Sequence, residues 1–341
     1  MFIPLSSAPS SALRPDTSLI SPNDWAVLAD HWHPVAIAAE LAPQQVLKAT
    51  LLDVELVLFR GADGAATAVL DMCPHRGVRL SIGQVVDGQI VCPFHGLRFD
   101  ATGRCTHVPA LGPTSRLPPS YQVRRFPVRE HHGLLWTCLG DAEKHGLPRY
   151  PKLEDAAPGE VGILPVLDWP VSAARQIENF FDLAHLPFVH ANTLGGNPDA
   201  PLKPGRIEQS DDAVTLHARY IETSHGDKAC LYTYRVVLPF SIEFQVVGED
   251  DPGYLLRSAD IASPVSAHRC RVFQLLRYGA DAAARDGLAN GLGVVNNEDI
   301  HVLSAMRQPD LPLDQRHEIH LPVDNISHAY RTRLKGMGLG R

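Results

Sequence analysis

Two short segments carry the first constellation with chemical potential. Cys73-Pro74-His75-Arg76-Gly77 and Cys92-Pro93-Phe94-His95-Gly96 together read C-x-H-x16-C-x2-H. Each supplies one thiolate and one imidazole, and each holds a Pro and a Gly that shape a tight turn. Two such loops can present four ligands to one small inorganic centre. A tetrahedral zinc ion accepts this donor set. So does a two-iron, two-sulfide cluster with both cysteines on one iron and both histidines on the other. The Cys-Pro…His…Gly chemistry is repeated in both loops, within a strand-rich region, which favours the cluster. Neutral imidazoles in place of two thiolates remove negative charge and raise the reduction potential.

The second constellation is Asn179, Asp182, His185 and His190, spaced N-x2-D-x2-H-x4-H. At about 100° per residue, steps of three lay Asn179, Asp182 and His185 along one helix face. The step of five to His190 misses that face by about 140°. Pro187 lies between the two histidines and is expected to break or distort the helix, so that the imidazoles converge. Two histidines and one carboxylate on one face of an iron leave positions open for O2. Taken singly, each residue has an ordinary explanation, as a packed core histidine or a helix cap.

The elements that must position these groups fall into two regions. The chain has 341 residues, 45% hydrophobic and 20% charged, which suits a globular protein with a core. From Gln45 to Gly140 short apolar runs such as Val54–Phe59, Ala66–Leu70, Gln89–Val91 and Gly133–Leu139 alternate with Gly and Pro breaks. They predict a small all-β domain over 23–146. A Pro- and Gly-rich connector, Leu147 to Pro158, marks the boundary. In 147–341, Ala173 to Phe181 predicts a helix. Ala213–Glu222, Cys230–Val247 and Arg269–Tyr278 then predict an antiparallel sheet, and Asn296–Arg307 a second helix. Glu298 and Asp299 early in that helix and Arg307 late match its dipole. The fold class is therefore α+β, with helices against the sheet of the second domain. Residues 1–22, rich in Ser and Pro without the basic and apolar regions of a signal peptide, read as a flexible arm.

A net charge of −7 gives no basic footprint for nucleic acid. No run approaches the roughly 20 apolar residues that span a bilayer. Cys105, Cys138, Cys230 and Cys270 have no metal-ligand spacing and read as reduced, buried, small apolar residues, which points to the cytoplasm.

At Cys73, His75, Cys92 and His95 the chain resembles the Rieske [2Fe-2S] proteins. Respiratory-chain members carry an extra cysteine in each loop, joined as a disulfide; here Val78 and Phe94 stand in those places. The resemblance is therefore to Rieske domains of oxygenases and soluble ferredoxins. With the second motif downstream, the chain from Trp25 to Lys335 is similar to the terminal oxygenase α-subunits of Rieske non-haem iron oxygenases. It resembles most the homotrimeric branch of vanillate and dicamba O-demethylases and methylxanthine N-demethylases.

That resemblance implies a mononuclear Fe(II) held by His185, His190 and Asp299, the last in Asn297-Glu298-Asp299-Ile300 with Glu298 as its rival. It implies that Asp182 bridges His95 of the partner subunit to His185, carrying electrons between subunits, and that Asn179 lies near the iron. It implies O2 as co-substrate and monooxygenation of a small aromatic or heteroaromatic substrate by O- or N-demethylation, with C–H hydroxylation or ring cis-dihydroxylation as the rival within the class. A Rieske electron carrier without oxygenase activity is the rival outside it. Val295, Asn296 and Val302 are expected to line the pocket. Gly291-Leu292-Gly293, read as a loop entering a helix, makes no dinucleotide fingerprint, since Asn296 stands where a Gly is needed. NAD(P)H is then used only through a separate flavin and iron–sulfur reductase or a ferredoxin.

Overall fold

Short apolar runs separated by turn residues fold as hairpins, and longer alternating runs build one broad sheet. The computed structural model describes residues 9–340 apart from 113–114, 158, 224–226, 252, 254 and 279–281. The chain divides into two units, Met1–Leu147 and Pro148–Arg341.

The first unit opens with α1 (Pro22–Ala29), whose Ser21 hydroxyl accepts the Asp24 N–H. Eleven short strands follow: β1 (His33–Ile37), β2 (Leu47–Leu51), β3 (Val54–Arg60), β4 (Ala66–Leu70), β5 (Gln84–Val86), β6 (Gln89–Val91), β7 (Arg98–Phe99), β8 (Cys105–His107), β9 (Arg125–Phe126), β10 (Val128–His131) and β11 (Leu134–Thr137). They form antiparallel sheets ordered β1-β11-β10, β2-β3-β4-β9 and β5-β6-β7-β8. Val57, Phe59, Val69, Leu80, Ile90 and Phe99 pack around Cys73 and Cys92, so the core of this unit directly supports the two Cys/His loops.

Residues 9–21, expected in a flexible arm, are packed instead. Leu13, Ser18 and Ile20 are buried, and the Ser18 hydroxyl donates to Asp53 Oδ2 at 2.6 Å. The Arg14 guanidinium donates to the Ser18 and Ile20 carbonyls, which folds the segment back on itself. Residues 1–8 lie outside the described ones.

The second unit contains α2 (Pro151–Glu154), β12 (Val161–Ile163), β13 (Leu167–Trp169), α3 (Ala173–Phe181), α4 (Leu186–Val189), β14 (Arg206–Gln209), β15 (Ala213–Glu222), β16 (Lys228–Val237), β17 (Ser241–Gly248), β18 (Leu255–Ser266), β19 (Arg269–Arg277), α5 (Ala282–Leu303) and α6 (Asn325–Gly336). The antiparallel sheet runs β12-β19-β18-β17-β16-β15-β14, and β13 also pairs with β19. This is the α+β architecture expected. The Ala173–Phe181 helix and the strands of Ala213–Glu222 and Arg269–Arg277 lie where the sequence puts them, and Cys230–Val247 forms a hairpin of two strands.

One sheet face meets α3 and α5. Phe180 of α3 stands edge-on to Tyr234 and Phe244, and Asn296 of α5 bonds Gln274. The opposite face meets the α2 segment through Glu243 to the Lys152 amide and through Arg277. A buried ionic network then ties α3 to α6: Arg331 donates twice to Glu178 and once to Glu318, and Arg175 bonds both acids as well. That network fixes the end of α3 from which the second motif departs.

Three sequence expectations are corrected here. The helix carrying Asp299 begins at Ala282, not at Asn296, so Glu298 and Asp299 sit in its last third and do not serve its N-terminal dipole. Gly291-Leu292-Gly293 lies inside this helix rather than in a loop. Pro187 does not kink a continuing helix. Helix α3 has already ended at Phe181, with Asp182 extended, and Pro187 sits in the first turn of α4, where a missing N–H costs nothing.

Candidate metal centres

The two loops of the first unit are near-copies in their backbone bonding. Cys73 N–H donates to the Val78 carbonyl and Gly77 N–H to the Cys73 carbonyl. Cys92 N–H donates to Leu97 and Gly96 N–H to Cys92 in the same way. Gly77 and Gly96 close these turns at φ of 74° and 72°, a conformation that L side chains resist. The cysteines are buried and the histidines exposed, and the His75 and His95 ring centroids lie 4.6 Å apart.

Burial, together with the neighbouring Cys92 sulfur, pushes the Cys73 thiol up to about 12 against the pull of the His75 and Arg76 amides. A buried Cys73 thiol held up in this way becomes a thiolate only when a cation compensates its charge. The donor set is therefore polarised, with sulfurs inward and imidazoles at the surface, and it fits a [2Fe-2S] cluster whose two irons take unlike ligands.

In the second unit the chain between α3 and α4 brings His185 and His190 to the two ends of a single helical turn. Asn179, Asp182 and His185 do not share a helix face as expected, since only Asn179 belongs to α3. The convergence comes from α4 instead: His185 precedes it and His190 follows it, and Asp299 reaches in from α5.

The donor atoms of His185, His190 and Asp299 lie within 4.8 Å of one another. Asp299 Oδ1 is 3.4 Å from His185 Nε2 and 3.2 Å from His190 Nε2. These atoms face each other without hydrogen-bond alignment, and His185 Nε2 and Asp299 Oδ1 are buried with no hydrogen-bond partner. Nitrogens and a carboxylate oxygen so placed point at a common centre rather than at each other. The set fits a divalent iron with a two-histidine, one-carboxylate face.

Charge follows geometry. Burial alone would lower His185, but the carboxylates of Asp182 and Asp299 beside its two ring nitrogens raise it to about 9. Burial alone would raise Asp299, yet His185 and His190 hold it at about 2. The site thus keeps its carboxylate ionised and favours positive charge.

Glu298, the rival for the third ligand, is placed differently. Its Oε2 lies 2.7 Å from His190 Nδ1 and accepts the Thr193 hydroxyl at 2.8 Å. His190 is only 1% exposed, so this carboxylate is what its Nδ1–H meets, and that fixes Nε2 as the free nitrogen. Asp182 Oδ2 stands 3.4 Å from His185 Nδ1, while its Oδ1 accepts the Ala184 amide; the side chain is 39% exposed. The amide nitrogen of Asn179 is buried and unpartnered. Of the expected pocket residues, Asn296 is buried and bonded to Gln274, but Val302 is 44% exposed and lines no interior surface among the described residues. Sequence reasoning missed Thr193 and Gln274, whose partners lie 105 and 22 residues away and leave no local signal.

A Rieske-type cluster loop pair followed by a two-histidine, one-carboxylate site defines the Rieske non-haem iron oxygenases as a class. Residues 31–127 match the Rieske [2Fe-2S] domain and residues 169–339 the vanillate O-demethylase oxygenase C-terminal domain. The chain belongs to this family, which uses a Rieske cluster, a mononuclear iron and O2.

Methylxanthine N1-demethylase NdmA of Pseudomonas putida is 28% identical over 90% of this chain and 88% of its own length. Dicamba O-demethylase of Stenotrophomonas maltophilia is 39% identical over 47% of this chain and 46% of its own. A toluene-4-sulfonate monooxygenase iron-sulfur subunit, TsaM2, of Comamonas testosteroni is 36% identical, and the match spans 49% of that protein. A solved structure of an NdmA variant with theobromine superposes with a TM-score of 0.78, at 27% identity over 92% of each chain. Among the described residues no helix is long and apolar enough to cross a membrane.

Proposed function

We propose that this chain is a terminal oxygenase component that monooxygenates a small aromatic or heteroaromatic compound by oxidative O- or N-demethylation. The observation that carries the reading is the convergence of His185, His190 and Asp299 in a chain that also pairs Cys73 and His75 with Cys92 and His95. His185, His190 and Asp299 would hold the mononuclear Fe(II), and the four loop residues the [2Fe-2S] cluster. The iron, when bound, supplies the O2 chemistry.

The chain's own residues then have distinct tasks. Glu298 keeps the His190 proton on Nδ1, so that Nε2 is available as a ligand. Asp182 holds His185 from the Nδ1 side and remains exposed enough to reach His95 of the partner subunit. Such a head-to-tail bridge closes as a cyclic trimer. Exposed imidazoles on the cluster side suit that contact. Demethylating relatives such as NdmA and dicamba O-demethylase support the reaction type. Electrons come from a separate NAD(P)H-dependent flavin and iron–sulfur reductase or a ferredoxin, since Gly291 and Gly293 lie within a helix rather than at a strand-to-helix turn. Six buried cysteines without a disulfide agree with a reducing, cytoplasmic setting.

The test is turnover with a surrogate reductase and a panel of methoxy- and N-methyl aromatics, assayed for formaldehyde. Formaldehyde equal to the demethylated product supports the reading. A hydroxylated ring or dihydrodiol without formaldehyde overturns demethylation. NADH-driven activity from this chain alone overturns the separate reductase.

A further inference from the structure

The sheet face beneath α3 and α5 changes character across its width. On β16 and β17 it presents Tyr232, Tyr234 and Phe244, all buried. On the next two strands the same face turns polar: Ser258 pairs across from Phe244, and Asp260 pairs across from Gln274. Period-two alternation places these residues on one side, and the contacts of Phe180 and Asn296 identify it as the side under the helices.

The polar part is a short relay that ends on a bare oxygen. Gln274 Nε2 donates to Asp260 Oδ2 at 2.7 Å and to Asn296 Oδ1 at 3.3 Å, while Asn296 Nδ2 donates back to Gln274 Oε1 at 2.6 Å. Gln274 has then spent both its protons. Asp260 is 1% exposed, and its Oδ1 is buried without a partner. A buried carboxylate oxygen left bare is costly and calls for a donor.

Asn296 lies one helical turn before Asp299 on α5, so the relay ends beside the proposed metal site. Burial pushes Asp260 up to about 7 against the pull of the Gln274 amide, and the charge of Asp299 adds to the rise. Opposite, Gln176 of α3 is fully buried with neither amide atom partnered, and it shares a helix side with Phe180 by i, i+4 spacing. Unpaired polar atoms thus project into the layer between helices and sheet from both sides, next to an aromatic wall. An ionised Asp260 in that layer repels an anion.

Resting on the oxygenase reading above, we propose that Asp260, held by Gln274 and Asn296, determines specificity by accepting a hydrogen bond from a ring N–H or cationic nitrogen of the substrate. The substrate is a nitrogen-bearing planar ring, and carboxylate-bearing aromatics are excluded.

The test measures binding by calorimetry on the iron-loaded holoenzyme with three probes: theobromine, which has one ring N–H, caffeine, in which that nitrogen is methylated, and 3-methoxybenzoate. Wild type is expected to bind theobromine at least roughly tenfold more tightly than caffeine, and 3-methoxybenzoate most weakly, as one lost charge-assisted hydrogen bond dictates. In Asp260→Asn, which keeps the shape and removes the charge, the theobromine preference should shrink to about threefold or less, and 3-methoxybenzoate should bind roughly tenfold more tightly. The wild-type comparison needs no variant. Equal binding of theobromine and caffeine by wild type, ratios unmoved by the substitution, or no binding of any probe would each overturn the proposal. Iron and acid-labile sulfide are measured in the same preparations. About three iron to two sulfide with unmoved ratios defeats only the role of Asp260, whereas about two to two defeats the oxygenase reading beneath it.

Discussion

Glu298 touches His190 from the side away from the converging donor atoms, so replacing it separates the support of a ligand from the ligand itself. In Glu298→Ala the His190 Nδ1–H, on a ring that is 1% exposed, loses its charged acceptor at 2.7 Å. A hydrogen bond to a charged group of this kind contributes about 1.5–3 kcal/mol. At about 1.4 kcal/mol per decade this is roughly 10- to 100-fold in Fe(II) affinity, the range typical of lost support behind a histidine ligand. Glu298→Gln keeps an acceptor without the charge and should lose less than about tenfold.

The assay is Fe(II) titration of the metal-stripped mononuclear site against a competing chelator, with the cluster monitored by its visible spectrum. Asp299→Ala serves as the reference, because removing a donor atom should take total iron from about three to about two per chain with sulfide unchanged. Glu298→Ala binding Fe(II) as tightly as wild type would refute the reasoning. Glu298→Ala losing iron as completely as Asp299→Ala would exchange the roles of the two acids.

Asp182→Asn should retain both metal centres by iron and sulfide analysis yet lose nearly all turnover, since its carboxylate meets His185 Nδ1 and is 39% exposed, as the proposed bridge requires; a well-coupled active variant would sink the bridging role. Burial pushes His33 down to about 4, so above pH 6.5 the ring is neutral in both folded and unfolded chains and costs nothing. Below it the unfolded chain takes up a proton that the fold refuses, and stability falls with falling pH. Between pH 7.5 and 5 wild type should lose about 2 kcal/mol more than His33→Gln, read from unfolding midpoints at each pH. Arg331→Met leaves Glu178 and Glu318 with Arg175 alone as their cation and should cost about 3 kcal/mol in urea unfolding, the low end for breaking a buried ion pair.

The candidate ligands stood out because their types and spacings are local: Cys73 with His75, Cys92 with His95, and His185 with His190 each fall within one loop or turn. The helix of Ala173–Phe181 was legible too, with Ser172 as its cap and no Gly or Pro inside. What the local pattern hid was supplied by tertiary packing. Helix α5 contains Gly287, Gly291 and Gly293 ahead of Asn296, each about 1 kcal/mol poorer than Ala in a helix, so local propensity argued for a loop. Leu288, Ala289 and Leu292 pack against Leu164, Leu276 and Tyr278, and that burial overrides the glycines. Strand β18 was left unassigned because Arg257, Asp260 and Pro264 interrupt its alternation. It is nevertheless central, buried on both faces from Ser258 to Pro264, with the proline at a register shift. Only the resemblance set Asp299 above Glu298 in the sequence; in the fold Asp299 faces the Nε2 atoms of both imidazoles and Glu298 faces Nδ1 of His190.

The glycines of α5 fill no tight space, for a Cβ added at Gly287, Gly291 or Gly293 would meet nothing within 4 Å. Their effect is therefore on stiffness alone. Helix α5 is held by contacts along its length and by what Asp299 and Glu298 grip near its end, not by its own propensity to coil. Ligation and helix formation are then thermodynamically linked: any ion that binds only the ordered helix stabilises it by mass action. An ion held by His185, His190 and Asp299 would then steady α5 as well as serve the site.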